Sequence, residues 1–268
     1  MRHSLAVFLL LTLTACGSLP TGMPTDEKST ATADELYTAA KSDSADGKYE
    51  RAIKGFEKLQ SRFPYGRYAQ QAQIEIAYAY YKKGEPAPAL SGLERFVKQF
   101  PNSEHLDYVL YLKGLVNFDE NVNSFVTTLF GQDPADRDPA PLIAAADAFD
   151  ELISRYPDSR YTGDARLRHQ YLQVTLAKHE IAVASYYLRR GAHVAAINRA
   201  QSVLTDYPNT PQTRDALQIM VQSYAALGLD DLKLDTQRVL DLNIAKDGIR
   251  PSRANFQERE TRWWQFWR

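Results

Sequence analysis

The chain has 268 residues, 24% of them charged, and a net charge of −1 at neutral pH. That balance excludes strong electrostatic steering toward nucleic acid or an anionic membrane surface. A single cysteine excludes an internal disulfide framework. Sixteen tyrosines against three methionines leave two uses for so many amphipathic rings: filling the space between paired helices, or lining a groove for a peptide.

Arg2 and His3 give a basic start, residues 5–13 form a short apolar run, and Leu13-Thr14-Ala15-Cys16 follows. The run is shorter than the roughly 20 residues a bilayer span needs and fits the apolar region of a secretory signal, residues 1–15. Leu-Thr-Ala-Cys also resembles a bacterial lipobox, which implies cleavage before Cys16 and acylation of that residue. Each buried methylene stabilises membrane association by about 0.8 kcal/mol, and more than one chain makes the anchor stable. Gly17 rather than Asp after the cysteine resembles the sorting pattern of outer-membrane lipoproteins. An ordinary signal peptide with an incidental cysteine is the other reading. Residues 16–32, rich in Gly, Ser, Thr and Pro, read as a flexible tether. Helical pattern begins near Asp34, which is placed to cap a helix opening Glu35-Leu36-Tyr37.

An eighteen-residue frame then recurs at 47–64, 84–101, 140–157 and 191–208. In register stand Ala52, Ala89, Ala145 and Ala196; four residues on, Phe56, Leu93, Phe149 and Ala200; three further, Leu59, Phe96, Leu152 and Val203. Steps of four and three place these positions on one helical face. Each copy closes with an aromatic residue and proline: Phe63-Pro64, Phe100-Pro101, Tyr156-Pro157 and Tyr207-Pro208. Four copies in register identify a repeat protein. Each frame is the second helix of a pair whose partner lies upstream, near 33–46, 66–83, 104–118 and 161–190; a fifth pair follows at 211–227 and 230–242. The partners place a small residue seven before the frame's glycine and a tyrosine four before it, clearest at Ala77/Tyr80, Ala184/Tyr187 and Val221/Tyr224. These features predict an all-α superhelical solenoid of about five tetratricopeptide (TPR) helix pairs, the last of them a solvent-facing cap with Lys233 in place of the alanine.

Two insertions break the period. Residues 119–139 form a long loop with an apolar patch at Phe125, Val126, Leu129 and Phe130, and loops of that length are commonly functional. Residues 161–190 predict one helix of about 45 Å that projects beyond its neighbours. The segment 243–268 lapses from the pattern, and its end, RWWQFWR, holds all three tryptophans, Trp263, Trp264 and Trp267. Trp and Arg suit a membrane interface or a protein hot spot. No catalytic residue or metal site is expected. Nucleophile elbow, P-loop, HExxH and dinucleotide fingerprints are missing from the sequence. His105, His169, His179 and His193 have no ligand spacing. The Asp133, Asp136, Asp138 run is interrupted by Pro134 and lacks the closing acid of a calcium loop, so Asp136-Arg137-Asp138 reads as a capping turn.

Particular stretches carry a resemblance. They are Arg62-Phe63-Pro64-Tyr65-Gly66 with Tyr68-Ala69-Gln70-Gln71, Tyr78-Ala79-Tyr80-Tyr81-Lys82, Asp107-Tyr108-Val109, Asp136-Arg137-Asp138-Pro139, Tyr156-Pro157-Asp158-Ser159, and Asn198-Arg199. With the lipobox, this ordered set resembles the BamD (ComL-like) family, lipoproteins of the outer-membrane β-barrel assembly machine. The resemblance covers residues 16–242. It implies a lipid-anchored scaffold on the periplasmic face of the outer membrane, with no enzymatic activity and no cofactor beyond the lipid on Cys16. Expected partners are a BamA-like barrel protein through its POTRA domains, other Bam lipoproteins, and the C-terminal signals of unfolded outer-membrane proteins; nucleic acid is not among them. Repeats one to three (33–157) are expected to receive substrate signals, through an aromatic cluster of Tyr65, Tyr68, Tyr78 and Tyr81. Repeats four and five (158–242) are expected to form the scaffold side. Arg199 falls there, where it either meets a partner carboxylate or is simply solvated. Trp263, Trp264 and Trp267 are expected to touch the membrane or a second subunit. The alternative function on the same fold is an adaptor that recruits a peptidoglycan enzyme or a protease.

Overall fold

The computed structural model describes residues 31–122, 135 and 138–247. Ten helices stand among the described residues: α1 (Ala33–Ala45), α2 (Tyr49–Arg62), α3 (Arg67–Lys82), α4 (Pro86–Gln99), α5 (Leu106–Val122), α6 (Ala140–Arg155), α7 (Thr162–Arg189), α8 (His193–Asp206), α9 (Gln212–Ala226) and α10 (Asp230–Asp247). They pair in sequence, α1 with α2 through α9 with α10, and successive pairs stack along the chain. Each helix packs on the next, and first helices also meet across pairs, α1 on α3, α3 on α5 and α7 on α9. This is the all-α TPR solenoid that the periodicity predicts.

The frame explains the packing. All twelve in-register residues, from Ala52, Phe56 and Leu59 through Ala196, Ala200 and Val203, are completely buried. Alanine lets the helix axes approach, and the larger residues one and two turns on fill the seam. The result is a chain of local cores: Ala40, Ala52, Phe56, Leu59 and Ile76 in the first; Leu93, Phe96, Leu106 and Leu112 in the second; Leu110, Phe118, Phe149 and Leu172 in the third; Ala184, Ile197, Val203 and Ile219 in the fourth.

Turns are built as regularly. At Gly47, Gly84, Gly191 and Gly228 φ lies between 69° and 75°. At each, the following N–H donates back to the first helix, as from Glu85 N to Tyr80 O at 3.0 Å and from Ala192 N to Tyr187 O at 3.0 Å. These are Schellman closures, which glycine accepts without the left-handed penalty other residues carry. At the far end of each second helix, Phe63, Phe100, Tyr156 and Tyr207 adopt φ between −129° and −131°, as the residue before proline must.

Four details differ from the sequence reading. The cap of α1 is Thr32, not Asp34: its Oγ1 accepts from Glu35 N at 3.3 Å while the Glu35 carboxylate accepts from Thr32 N at 2.8 Å, a reciprocal capping box. The long helix does not project. Its first half supplies Ala165, Leu172 and Leu176 to one core and its second half supplies Ala177 and Ala184 to the next, so the extra length is absorbed by joining repeats three and four. Val221 is only half-buried, whereas Ala77 and Ala184 are fully buried. Finally, the last helix faces solvent as expected, but with apolar residues, Leu232, Leu234, Val239 and Leu242.

Two glycines make opposite predictions. A Cβ at Gly114 would lie 2.4 Å from the fully buried Phe149 ring, so Gly114→Ala is expected to destabilise by about 1–3 kcal/mol through overpacking. Nothing lies within 4 Å of a Cβ at Gly163, so Gly163→Ala is expected to be neutral or to stabilise by up to about 1 kcal/mol. Urea unfolding of both variants checks the signs. Thr32→Ala is expected to cost about 1 kcal/mol, read as earlier fraying of α1 in amide exchange.

Candidate functional site

The first helices carry most of the tyrosines, and their hydroxyls reach across pairs to carboxylates. Tyr68 Oη donates to Asp34 Oδ1 at 2.6 Å, and Tyr37 Oη donates to Glu75 Oε1 at 3.2 Å. Lys41 Nζ holds the same Glu75 oxygen at 2.5 Å. One pair along, Tyr81 Oη donates to Asp119; at the next seam Tyr111 Oη donates to Asp164 Oδ2 at 2.8 Å. Ser159 Oγ donates to Asp107 Oδ2 at 2.7 Å across that same seam. Between the bonded groups the rings pack: Tyr37 on Tyr68 at 5.6 Å, Tyr108 on Tyr161 at 5.3 Å, and Tyr111 stacked on Tyr161 at 4.9 Å.

Arg168 adds a buried charge to this face, only 7% exposed. Its Nε donates to Asp164 Oδ2 at 2.6 Å and its guanidinium lies 4.9 Å from the Phe118 ring centre. A carboxylate partner and an aromatic face together meet the condition for burying arginine. The Tyr37, Tyr81 and Tyr111 hydroxyls are held well above the ordinary phenol range, first by burial and then by their carboxylates; Tyr108 is raised by burial and nearby Glu75. They remain protonated donors at any physiological pH. His169 is lowered by burial and shares a 3.3 Å contact with Gln173, whereas His179 Nδ1 lies 2.7 Å from Ala135 O. Among the described residues no group of three or more His, Cys, Asp or Glu is placed to hold a metal ion.

The four expected substrate tyrosines form two groups. Tyr65 is 90% exposed beside Gly66, and Tyr68 sits one turn on, under the Arg67 guanidinium at 4.9 Å. Tyr78 and Tyr81 pack together at 6.4 Å near the other end of α3. The thirteen residues from Tyr68 to Tyr81 span about 20 Å of helix. The second group continues into Tyr108, Tyr111 and Tyr161, which the sequence reading did not place in the aromatic cluster. No fixed spacing marks them: the tyrosine–acid pairs across the seams are separated by 34, 38, 38 and 53 residues. Arg199 stands half-exposed on α8, with Nη1 3.3 Å from Glu180 Oε2. Asp138 Oδ1 accepts from Ala140 N at 3.0 Å, but the N-cap of α6 is Pro139, one residue on, with no side-chain cap bond. Cys16, the loop patch at Phe125, Val126, Leu129 and Phe130, and Trp263, Trp264 and Trp267 lie outside the described residues.

The sequence model of the YfiO family, described as outer membrane lipoprotein, matches residues 29–240. The outer membrane protein assembly factor BamD of Neisseria meningitidis serogroup A is 40% identical over 267 residues, 98% of each chain. The protein of the same name from Vibrio cholerae is 39% identical, over 86% of this chain and 93% of its own. The one from Pasteurella multocida is 37% identical, over 78% of this chain and 80% of its own. With the family match spanning the helical array and relatives alike over nearly their whole length, the chain belongs to the YfiO family of outer-membrane lipoproteins.

Proposed function

We propose that the chain is an assembly factor of the outer membrane, a lipid-anchored scaffold in the machinery that inserts β-barrel proteins. The observation that carries this reading is the length of the likeness, 98% of both chains with a BamD assembly factor. Such a factor is not an enzyme; it works beside BamA and the other Bam components. Among the described residues no helix is long and apolar enough to cross a membrane, and we assign attachment to the lipid on Cys16, which precedes the tether.

Within the complex we assign the two ends of the array different partners. Repeats four and five take the POTRA domains of the BamA-like subunit, and Arg199 supports this. One of its nitrogens leans on Glu180 at 3.3 Å, while half of the side chain stays exposed, which leaves a forked donor for a second carboxylate. Repeats one to three receive the C-terminal signal of unfolded barrel proteins, a strand ending in an aromatic. Tyr65, wholly exposed beside Gly66, with Tyr68 and Arg67 behind it, offers an aromatic and cationic edge suited to a terminal ring and carboxylate. Tyr78 and Tyr81 extend the receptor along α3 toward Tyr108. The other Bam lipoproteins bind surfaces that these residues leave free.

Photo-crosslinkers at positions 65 and 68 are expected to capture nascent barrel proteins, and one at 81, which lies in a part-buried seam where the bond of Tyr68 to Asp34 is exposed, to capture less. Capture only at positions outside α3 would remove the receptor assignment. Arg199→Ala is expected to weaken affinity for isolated POTRA domains by about 1.5–3 kcal/mol, on the order of 10- to 100-fold in Kd, with unchanged helical content. An unchanged Kd by titration calorimetry would leave Arg199 a surface residue.

A further inference from the structure

The last repeat departs from the others where it should most resemble them. Eleven and fourteen residues into the frame the side chains are polar in every copy: Lys58 and Ser61, Arg95 and Lys98, Glu151 and Ser154, and Ser202 and Thr205. All are exposed but Glu151 and Ser202, which are half-buried. In α10 the same positions are Val239 and Leu242, 47% and 64% exposed. Four residues in, no earlier copy has a large aliphatic side chain, yet α10 has Leu232, 47% exposed. The residue before the turn glycine is Asp46, Lys83 or Arg190 in earlier turns and Leu227 here. By helical rotation Leu232, Val239 and Leu242 share one flank, and Leu227 joins Val194 in lining a shallow hollow at its foot. An open array end accounts for a bare helix, not for apolar residues at positions that are polar wherever else they face water. A flank of this kind marks a contact surface.

We propose that the occupant is the chain's own segment 248–268, which caps the array by laying its tryptophans along this flank. The segment leaves α10 five residues past Leu242. Sixteen residues from 247 to Trp263 reach at most about 50 Å, against about 20 Å of helix between Leu229 and Leu242, so the reach is ample. Tethering holds the local concentration near millimolar. Charge also matches: residues 248–268 carry five arginines against two glutamates, and α10 exposes Asp230 and Asp231 at its start, with Asp235 paired to Arg238 at 2.6 Å and Asp241 accepting from Gln237 at 2.8 Å farther along. Trp263, Trp264, Phe266 and Trp267 supply the apolar surface, and the arginines around them meet the aspartates.

Because every tryptophan of the chain lies in this segment, intrinsic fluorescence reads the segment alone. The full chain, lipid-free as Cys16→Ala and in detergent-free buffer, is expected to emit at shorter wavelength than free N-acetyl-tryptophanamide. Its emission is expected to resist acrylamide quenching, with no dependence on protein concentration. The double variant Leu232→Asp/Val239→Asp, made at exposed positions, is expected to shift the emission to that of water-exposed indole with the circular dichroism of the helices unchanged. Water-exposed emission in the parent chain overturns the proposal, as does protected emission that the double variant leaves in place. Protection that appears only on raising the concentration assigns the flank to a second copy; protection that appears only with phosphatidylglycerol-containing vesicles assigns the tryptophans to the membrane. Either result overturns the intramolecular cap.

Discussion

How closely two helices can approach decides everything else in this array. Ala52, Ala89, Ala145 and Ala196 are fully buried where second helices lean on their partners, and a Cβ added at Gly55 would fall 2.8 Å from that of Ala40. With no bulk at the crossing, the rings one and two turns away fix the angle between helices and close each local core. A close crossing also leaves little space inside a pair. The tyrosines of the first helices are therefore pushed to the seams between pairs, where their hydroxyls find carboxylates one repeat along.

Those seams combine rigidity with recognition. Tyr68 with Asp34, Tyr81 with Asp119 and Tyr111 with Asp164 are contacts between helices far apart in sequence, and each satisfies a half-buried phenol that would otherwise cost desolvation. Burial and their carboxylates keep the Tyr81 and Tyr111 phenols protonated over the physiological range. The long helix α7 extends this rigidity through the one place where the period fails. It contributes to the cores on both sides of it, so repeats three and four are joined by a continuous element rather than by a loop.

Most of the fold was legible in the sequence because local rules and tertiary packing agree. The frame of an alanine followed by apolar residues four and seven positions on, the turn glycines and the aromatic–proline stops each have one structural solution. The boundaries of the predicted pairs accordingly fall within a few residues of the helices. Reading failed where only a neighbouring element decides. Thr32 displaced Asp34 as cap because Glu35 completes a reciprocal pair with it. The extra length of α7 was visible, but its burial between two cores depends on α5, α6, α8 and α9 arriving there. The candidate site was legible in part. Tyr78 and Tyr81 were read as one cluster with Tyr65 and Tyr68; they pack on each other but lie about 20 Å along α3 from Tyr68, and their continuation into Tyr108, Tyr111 and Tyr161 required knowing which seam the insertion leaves intact. The apolar flank of α10 was hidden for a different reason: Leu232, Val239 and Leu242 read as ordinary helix residues until the repeat register shows that the same places are polar elsewhere.

Affinity recovery of the intact lipoprotein from mildly solubilised envelopes tests most directly whether this scaffold serves β-barrel assembly. A large β-barrel subunit with periplasmic domains is expected to co-purify in stoichiometric amount, together with smaller lipoproteins. Recovery of a peptidoglycan enzyme or a protease, with no barrel subunit present, would contradict that role.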